Sequence, residues 1–485
     1  MLFVIRYFPE ITVKSKIVRK QMVRRLKDNL YSVLRPLDSN VRIFSQWDKL
    51  TVETTLKDVD ALANFREVLV NTPGITHILQ VEQCEVASME DIACQTLEAF
   101  AHTVRDRRFV VRCKRTGEHG FNSHEIERHV GGYLLHHVPG SCVDLHQPEV
   151  TVRIELHQNT LHLVRLRLEG LGGFPLGAIE PALSLISGGF DSPVASYQTM
   201  RRGMPTHFCF FNLGGREHEL GVKQVAWHLW QRYAASHRVQ FVTVPFEAVV
   251  AEILENVDNS QMGVVLKRMM LRAASRVADK LDKNIQALVT GEAVAQVSSQ
   301  TLTNLAVIDE ACDKLVLRPL ITWDKEAIVQ QARQIGTATF AASMPEYCGV
   351  ISVNPTTRAR QYRVEAEERK FDMSRLDEAV AAARYCAMDE LVLEGSSTVE
   401  IETSAVPLPG ALIVDIRHPD EQQRKPLSVA GQTVEAVPFY RLQAYMQSHA
   451  DQFCLLYCDK GVMSRLHAAH LMEQGCRVGV YRPHE

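Results

Sequence analysis

The sequence of 485 residues lacks any apolar run long enough to cross a membrane as a helix. Its N-terminal stretch reaches Arg6 before it could form the apolar core of a secretory signal. The eleven cysteines include no CxxC pair, which excludes a disulfide scaffold and a zinc ribbon. No internal repeat is apparent. These absences predict a cytoplasmic protein with mostly reduced cysteines and no membrane association.

The length predicts two to four domains. The first 168 residues alternate short strands with two polar helices, which indicates an α+β half. After a Gly/Pro-rich segment at 169–181, apolar strands alternate with helices, the pattern of a doubly wound parallel sheet. A second linker is expected at 394–410, within a stretch from about 372 that carries no diagnostic pattern, and the last 75 residues form a further α/β unit. We therefore expect an α/β multidomain protein.

The net charge of −3 conceals a strongly basic N-terminal half. Residues 1–35 hold nine Lys/Arg against two acidic residues, a local charge of +7 (nine minus two). A second basic cluster surrounds the strand that starts at Phe109. Clustered basic residues on a folded platform are typical of RNA phosphate contact, although a merely solvated charged face has the same composition. The candidate RNA-binding residues are Lys14, Lys16, Arg19, Arg112, Lys114 and Arg115.

The motif SGGFDS at 187–192 lies between an apolar strand and a helix. Its glycines let the backbone approach an anion, and the helix N-terminus that follows supplies free N–H groups. No GK[ST] follows and no GxGxxG is present, which disfavours an NTPase that transfers the γ-phosphate. The motif predicts a phosphate site; the alternative is an ordinary tight turn between strand and helix.

The motif YCDKGVMSR at 457–465 has the same strand-to-helix context. A cysteine at a helix N-terminus lies among N–H donors that stabilise an anionic sulfur, so Cys458 is predicted to be a nucleophile. Thiol phosphatases have five residues between their Cys and Arg, whereas six separate Cys458 from Arg465, a spacing that favours sulfur chemistry. A buried structural cysteine is the simpler alternative. Cys454 lies about 13 Å away along the strand, too far for a disulfide.

SGGFDS resembles the PP-loop of ATP pyrophosphatases, which split ATP between the α- and β-phosphates. The resemblance implies an ATP site and a possible Mg²⁺ held by Asp191, which would also be catalytic together with Lys325. Leu185 and Ile186 would meet the adenine through backbone groups. The implied nucleotide-binding residues are Leu185, Ile186, Ser187, Gly188, Gly189, Asp191, Ser192, Lys267, Gly291 and Gln300.

The C-terminal segment resembles a rhodanese, with Asp415, Arg417 and Glu421 as bracing residues and a persulfide on Cys458. RCKRTGEHGFNSHEIERHVG resembles a THUMP domain, an RNA-binding module. Together with MPEYCGVIS around Cys348, the order of modules resembles the tRNA 4-thiouridine synthetase (tRNA uracil 4-sulfurtransferase) family in its long form. The implied domains are ferredoxin-like (1–60), THUMP (61–168), PP-loop (176–393) and rhodanese (404–485).

This resemblance implies a cytoplasmic enzyme that uses ATP and Mg²⁺ to adenylate the C4 oxygen of a tRNA uridine, expected at position 8. Sulfur would arrive from a cysteine desulfurase as a persulfide on Cys458, and Cys348 would end in a disulfide with it. Direct persulfide attack and release of sulfide remain alternative routes. A thiamine sulfur-carrier protein is a further possible partner, and a homodimer is possible.

Two other classes are weighed against this one. A nitrogen-transferring PP-loop enzyme of the GMP synthetase or asparagine synthetase type would need a glutaminase domain, and no N-terminal Cys or glutaminase-like Cys/His grouping is apparent. A protein that only binds RNA would form no AMP.

Overall fold

The computed structural model describes residues 1–213, 215–343, 355–391, 401–408, 410–417, 422–423, 425–437, 439–449, 452–459 and 461–483. The chain divides into two compact units, Met1–Ala178 with Arg201–Gly203, and Ile179–Met200 with Met204–Glu485. Within the ranges just given, a search for a helix long and apolar enough to cross a bilayer finds none.

The first unit places helices against a mixed sheet. Its elements are β1 (Leu2–Tyr7), α1 (Pro9–Thr12), α2 (Lys16–Leu34), β2 (Arg42–Ser45), β3 (Lys49–Glu53), α3 (Val59–Val70), β4 (Ile75–Glu85), α4 (Met89–Val104), β5 (Arg108–Thr116), α5 (Ser123–His137), β6 (Cys142–Val143), β7 (Val150–His157) and β8 (Thr160–Gly172). These strands form one sheet in the order β2-β3-β1-β4-β8-β7-β5-β6. The long strands β4 and β8 pair with each other, so one sheet runs through both the ferredoxin-like part and the part that follows it.

Local sequence signals explain the helices of this unit. The basic N-terminal segment forms α2, and the Ser15 side chain accepts the Val18 N–H as its N-cap. Asn122 caps α5 and forms a reciprocal capping box with Glu125. β8 continues to Gly172, so the first residues of the expected Gly/Pro linker belong to a strand.

The second unit begins with a parallel sheet flanked by helices. Its elements are β9 (Ala182–Leu185), α6 (Asp191–Arg201), β10 (Thr206–Asn212), α7 (Gly215–Leu229), β11 (Gln240–Pro245), α8 (Glu247–Asn256), α9 (Met262–Leu281), β12 (Ala287–Val289), α10 (Leu302–Asp309), β13 (Leu315–Leu317), α11 (Lys325–Gln334), α12 (Ala338–Ser343), α13 (Gln361–Glu368), α14 (Met373–Ala381) and β14 (Arg384–Ala387). The strand order is β13-β12-β9-β10-β11-β14. All pairs are parallel except β11–β14, so the expected doubly wound fold is confirmed with one antiparallel edge.

The stretch from about 372, expected to be an uninformative linker, contains α14 and β14. Their apolar side chains explain this correction: Leu376 and Val380 on α14 are buried in the same core as Val242 of β11. Four residues is too short a strand to stand out by alternation alone.

The C-terminal part contains β15 (Thr403–Ser404), β16 (Leu412–Asp415), β17 (Val434–Ala436), α15 (Phe439–Ser448), β18 (Cys454–Tyr457), α16 (Val462–Glu473) and β19 (Val478–Tyr481). These strands form a parallel sheet in the order β15-β19-β18-β16-β17. The second expected linker, 394–410, therefore contains a strand, since the two residues of β15 pair with β19.

Candidate functional site

The first candidate site lies where the connections of the parallel sheet reverse direction. β9 has β10 on one side and β12 on the other, and in open α/β sheets ligands bind beyond the carboxyl ends of the strands at such a point. The segments after β9 and β12 touch here. A Cβ built on Gly291 would lie 2.6 Å from the Ser192 backbone nitrogen, so only glycine permits this approach.

The loop after β9 folds back onto the first turn of α6. The Ser187 N–H donates to Ser192 Oγ at 2.8 Å, and the two hydroxyl oxygens are 2.9 Å apart. A Cβ on Gly189 would meet only Ser187 Oγ, at an ordinary 3.8 Å. Packing within the chain therefore does not require a glycine at position 189. A phosphate that approached the loop closely would require one, because it would occupy the space of a Cβ.

Asp191, the first residue of α6, joins three segments. Its Oδ1 accepts from Lys325 Nζ at 2.7 Å, and its Oδ2 accepts from Gln296 Nε2 at 3.0 Å. The Lys325 ammonium also lies 5.5 Å from the centroid of the Phe190 ring. The sequence singled out Asp191 and Lys325 separately, and the structure pairs them. Each carboxylate oxygen retains a lone pair, so the site suits the hard cation Mg²⁺.

A second ionic cluster holds Lys267. Glu292 is 7% exposed and binds Lys267 through one oxygen. Its other oxygen accepts from Arg318 Nε at 2.8 Å and from Thr290 Oγ1 at 3.0 Å. Burial by itself would raise the pKa of the Glu292 carboxyl, but Lys267 and Arg318 lower it to about 2. The cluster therefore stays ionised and fixes the Lys267 side chain.

The remaining residues predicted to bind the nucleotide differ in whether their polar groups are available to a ligand. The Ile186 N–H donates to the Cys209 carbonyl at 2.9 Å, so this group is already used within the sheet and an adenine would have to meet other backbone groups. Gln300 is 9% exposed, and its Oε1 is buried and accepts no hydrogen bond from any residue that the structure describes. Gln300 thus retains an acceptor for a ligand.

The second candidate site surrounds Cys458, the residue after β18. Its Sγ accepts the Ser464 N–H at 3.3 Å and lies 3.4 Å from Ser464 Oγ. The loop between them turns through Gly461, whose φ of 70° suits glycine, and α16 starts at Val462. A sulfur that faces the first turn of a helix is stabilised as an anion. The geometry thus supports the prediction of a nucleophile.

Arg417 ties this loop to the sheet. The guanidinium donates to both Asp415 oxygens at 2.9 and 2.7 Å, to Asp459 at 3.0 Å and to the Lys425 carbonyl at 2.8 Å. Burial disfavours the Arg417 charge, but Asp415 raises the Arg417 pKa well above its usual value. The Asp415–Arg417 brace expected from the sequence is therefore present. Glu421 and Cys348 lie outside the described residues.

The basic residues of the first unit lie mostly at the surface. Lys14 and Lys16 are exposed, and the Arg19 guanidinium lies 4.8 Å from the centroid of the exposed Trp47 ring. Arg112 and Lys114 are exposed on one face of β5. Arg115 is the exception because strand alternation turns it to the other face, where it donates to the Gly117 carbonyl at 2.6 Å.

A buried polar cluster joins distant strands of the same unit. Arg6 on β1 donates to the Glu155 carboxylate on β7 at 2.8 and 3.1 Å, and Lys49 Nζ lies 3.1 Å from His157 Nε2. The donor atoms of Glu155, His157 and His162 lie within 4.8 Å of one another. Because Arg6 already neutralises the Glu155 carboxylate and the Lys49 ammonium lies against His157, the cluster is better described as a polar network around an ion pair than as a metal site. Burial, reinforced by His157 and Lys49, lowers the pKa of His162 to about 4.

This pKa predicts a pH-dependent stability. Unfolded His162 would take up a proton below its ordinary pKa of 6.5, whereas the folded protein resists protonation down to about 4. The contribution of His162 to the free energy of unfolding of the first unit should therefore be fully present above pH 6.5. Between pH 6.5 and pH 4 this free energy should fall by up to about 1.4 kcal/mol per pH unit. Hydrogen exchange of β7 and β8 peptides at pH 6.5 and 4.5 measures this, and His162→Gln should flatten the dependence. His124→Gln, on an exposed side chain, should not; an unchanged slope in His162→Gln would refute the assignment.

Three protein-family models match consecutive parts of the chain. Models for the ThiI ferredoxin-like domain, the THUMP domain and the Thiamine biosynthesis protein (ThiI) match residues 2–78, 86–164 and 177–373. A tRNA sulfurtransferase of Pseudomonas putida is 51% identical over 486 residues, and those of Pseudomonas aeruginosa strain LESB58 and Azotobacter vinelandii are 52% identical over 485. Each alignment covers 100% of both chains. The chain belongs to the tRNA sulfurtransferase family.

Solved structures agree with this assignment to the tRNA sulfurtransferase family at the level of the fold. A 4-thiouridine synthetase in complex with RNA and bound ATP matches with a TM-score of 0.69 and 24% identity, covering 80% of this chain and 99% of that chain. PH1313 from Pyrococcus horikoshii matches with a TM-score of 0.52 and 22% identity, covering 69% and 100%. The family inferred from the sequence motifs is confirmed.

Three residues of this family member escaped the sequence reasoning. Gln296 binds Asp191, while Glu292 and Arg318 hold Lys267. One signal was available for two of them: Glu292 and Arg318 are charged residues just after the apolar strands β12 and β13, where a parallel sheet places its ligands. Gln296 carries no such signal because it lies in an irregular loop.

Proposed function

We propose that this protein is an ATP-dependent tRNA sulfurtransferase that adenylates the C4 oxygen of a uridine, expected at tRNA position 8, and replaces it with sulfur carried on Cys458. The observation that carries the proposal is the arrangement at the switch point, where the loop of Gly189 opens beside the paired Asp191 and Lys325. The names of the full-length relatives point to sulfur rather than nitrogen transfer.

In the first half-reaction the uracil C4 oxygen attacks the α-phosphorus of ATP, pyrophosphate leaves, and the uracil N3 proton passes to water. The loop amides and the N-terminus of α6 bind phosphate oxygens, and Lys325 neutralises charge on the departing pyrophosphate. Asp191 would hold Mg²⁺, which supplies a Lewis acid for the phosphates. Lys267, fixed by Glu292, adds a second cation to the site. The product carries AMP at C4, a far better leaving group than oxide.

In the second half-reaction a cysteine desulfurase loads a sulfane sulfur onto Cys458. The terminal persulfide sulfur attacks C4 and expels AMP; the Cys348 thiolate then attacks the Cys458 sulfur, which releases 4-thiouridine and leaves a disulfide that a dithiol reductant reopens. Alternatively, Cys348 attacks the persulfide first and the released sulfide attacks C4. Both routes require Cα atoms of the two cysteines to approach to about 5.5–6 Å.

The first unit would bind the tRNA through Lys14, Lys16, Arg19, Arg112 and Lys114, with Arg115 shaping the adjoining loop. We place the reaction in the cytoplasm and include a homodimer in the proposal. The match to the Thiamine biosynthesis protein (ThiI) model supports a second role, in which Cys458 passes sulfur to a carrier protein for thiamine synthesis. That role would need Cys458 but not Asp191.

The test is mass measurement of tRNA nucleosides after incubation of the full chain with unmodified tRNA, ATP, Mg²⁺, a cysteine desulfurase, cysteine and a dithiol. We expect 4-thiouridine and AMP in equal amounts, each dependent on the tRNA. AMP release that ignores the RNA, or tRNA without sulfur, would rule the function out.

Gly291→Ala should impair the nucleotide site severely. The new Cβ would lie 2.6 Å from the Ser192 nitrogen and 2.7 Å from the Asp191 carbonyl carbon, so β12 and α6 must separate. Misplacement of this size should slow RNA-dependent AMP formation by about 10²-fold. Gly132→Ala is the control because nothing lies within 4 Å of its added Cβ. Equal activity of both variants would show that the close approach is unimportant.

A further inference from the structure

The loop between β12 and α10 has a strained backbone. Ala295 has a φ of 63°, and it is one of three non-glycine residues with positive φ within the described ranges. The other two are Asp106 and Gln158, and the short polar side chain of aspartate tolerates this conformation better than alanine does. The loop is held by hydrogen bonds of 3.0 Å from Ala295 N–H to the Gln300 carbonyl and from Val294 N–H to the Ile321 carbonyl. Such strain clusters at functional sites.

The residue presented by this strained turn is Gln296, and its amide orientation is determined chemically. An ionised carboxylate only accepts hydrogen bonds, so the group that lies 3.0 Å from Asp191 Oδ2 must be the Gln296 nitrogen. The oxygen Oε1 then points away from that carboxylate. It is buried and accepts no hydrogen bond from the residues that the structure describes. A buried acceptor without a donor is costly, which raises the question of which ligand group supplies one.

The position of Gln296 limits which ligand groups could donate a hydrogen bond to its Oε1. Asp191 opens α6, where the phosphates of a nucleotide would lie, and phosphate oxygens supply no hydrogen to an acceptor. The phosphates therefore leave Oε1 without a donor, and the second substrate is a group at this site that can supply one. A uracil ring carries one N–H, at N3, directly beside the C4 oxygen that is activated. The flanking Val294 and Val297 are 39% and 51% exposed, and their apolar surfaces suit a planar ring.

We propose that Gln296 Oε1 accepts the N3–H of the target uracil and so positions the C4 oxygen towards the α-phosphorus. This inference rests on the proposed adenylation of uridine. The same contact makes Gln296 a specificity residue, because cytosine presents an unprotonated N3 and would leave two acceptors facing each other.

The test combines a change in the protein with a change in the base. Gln296→Met removes the acceptor with little change of shape, and 3-deazauridine at the target position of the tRNA removes the N3–H. We expect each change alone to lower kcat/KM for RNA-dependent AMP formation about tenfold. Both together should lower it by clearly less than the product of the two losses, and the loss that remains for Gln296→Met on the 3-deazauridine RNA reflects the hydrogen bond to Asp191 that Met also removes. Gln296→Glu keeps an acceptor but loses the donor to Asp191, so it should be slower yet still prefer uridine to 3-deazauridine. Gln330→Ala, on the exposed part of α11, is the control.

Three results would overturn the inference. Equal losses for Gln296→Met on both RNAs would mean that Gln296 only holds Asp191. Weaker ATP binding, or a higher Mg²⁺ requirement, with intact base preference would assign Oε1 to the nucleotide or to metal-bound water. An unmodified enzyme that forms no AMP with uridine-containing tRNA would remove the proposed function itself, and this inference with it.

Discussion

Cys458→Ser is expected to lower multiple-turnover thiolation of tRNA by at least about 10³-fold, while the first RNA-dependent release of pyrophosphate, which precedes sulfur transfer, is retained. Serine retains the size of the side chain and the Ser464 N–H as a neighbour, but its oxygen cannot carry a sulfane sulfur. The measurement is 4-thiouridine per enzyme by mass spectrometry, with pyrophosphate quantified in the same reaction. Transfer of labelled sulfur to the protein should disappear in parallel.

Cys454→Ala is the matched control for this variant. Cys454 lies on the same strand, four residues earlier, and is fully buried. Burial raises the pKa of its thiol to about 11, so it stays protonated at neutral pH and is not a nucleophile. We expect near-normal thiolation. Full thiolation by Cys458→Ser, or equal losses in both variants, would contradict the carrier role of Cys458.

Asp191→Ala is expected to reduce AMP formation by about 10³-fold and to leave persulfide loading of Cys458 unchanged. The substitution removes the carboxylate that binds Lys325 at 2.7 Å and Gln296 at 3.0 Å, so both side chains lose their common anchor. Any Mg²⁺ bound there would lose its ligand as well. Sulfur relay to a carrier protein should persist because it needs no ATP.

Asp279→Ala separates the chemistry of this ion pair from its contribution to stability. Asp279 pairs with Lys314 at 2.7 Å in the same domain, away from the switch point, so it offers a comparable bond without the site. AMP formation should be unaffected in this variant. Loss of persulfide loading in Asp191→Ala, with AMP formation intact, would reverse the assignment of the two half-reactions.

The order of elements around both candidate sites could be predicted because each signal is local. An apolar strand, a glycine-rich or cysteine-bearing turn and a helix follow one another within a few residues at SGGFDS and at YCDKGVMSR. The stretch around α14 and β14 could not be predicted in the same way. Its amphipathic helix and edge strand can be recognised only in the folded structure, where Leu376 is buried in the core of the neighbouring sheet.

The sequence was equally unable to predict which distant residues pair with each other. Lys325 was predicted as a catalytic residue from its motif, but only the fold shows that its Nζ lies 2.7 Å from Asp191 Oδ1, which is 134 positions earlier. Arg115 was grouped with Arg112 and Lys114 by proximity along the chain, yet strand alternation turns it to the opposite face. Glu292 follows an apolar strand, but only the fold shows that it is buried beside Lys267 and Arg318 and forms the centre of a cluster.

The amino-acid sequence by itself determined the family, the class of fold and the two strand-to-helix turns at which we propose that a phosphate and a reactive sulfur are held, since backbone conformation at such turns depends on neighbouring residue types. Only the tertiary structure decided which side chains act together. The β9–β12 switch point brings Asp191, Lys325 and Gln296 to one place, and their hydrogen bonds leave one amide oxygen without a donor among the residues that the structure describes. Such groupings arise from strand order, which no local pattern encodes.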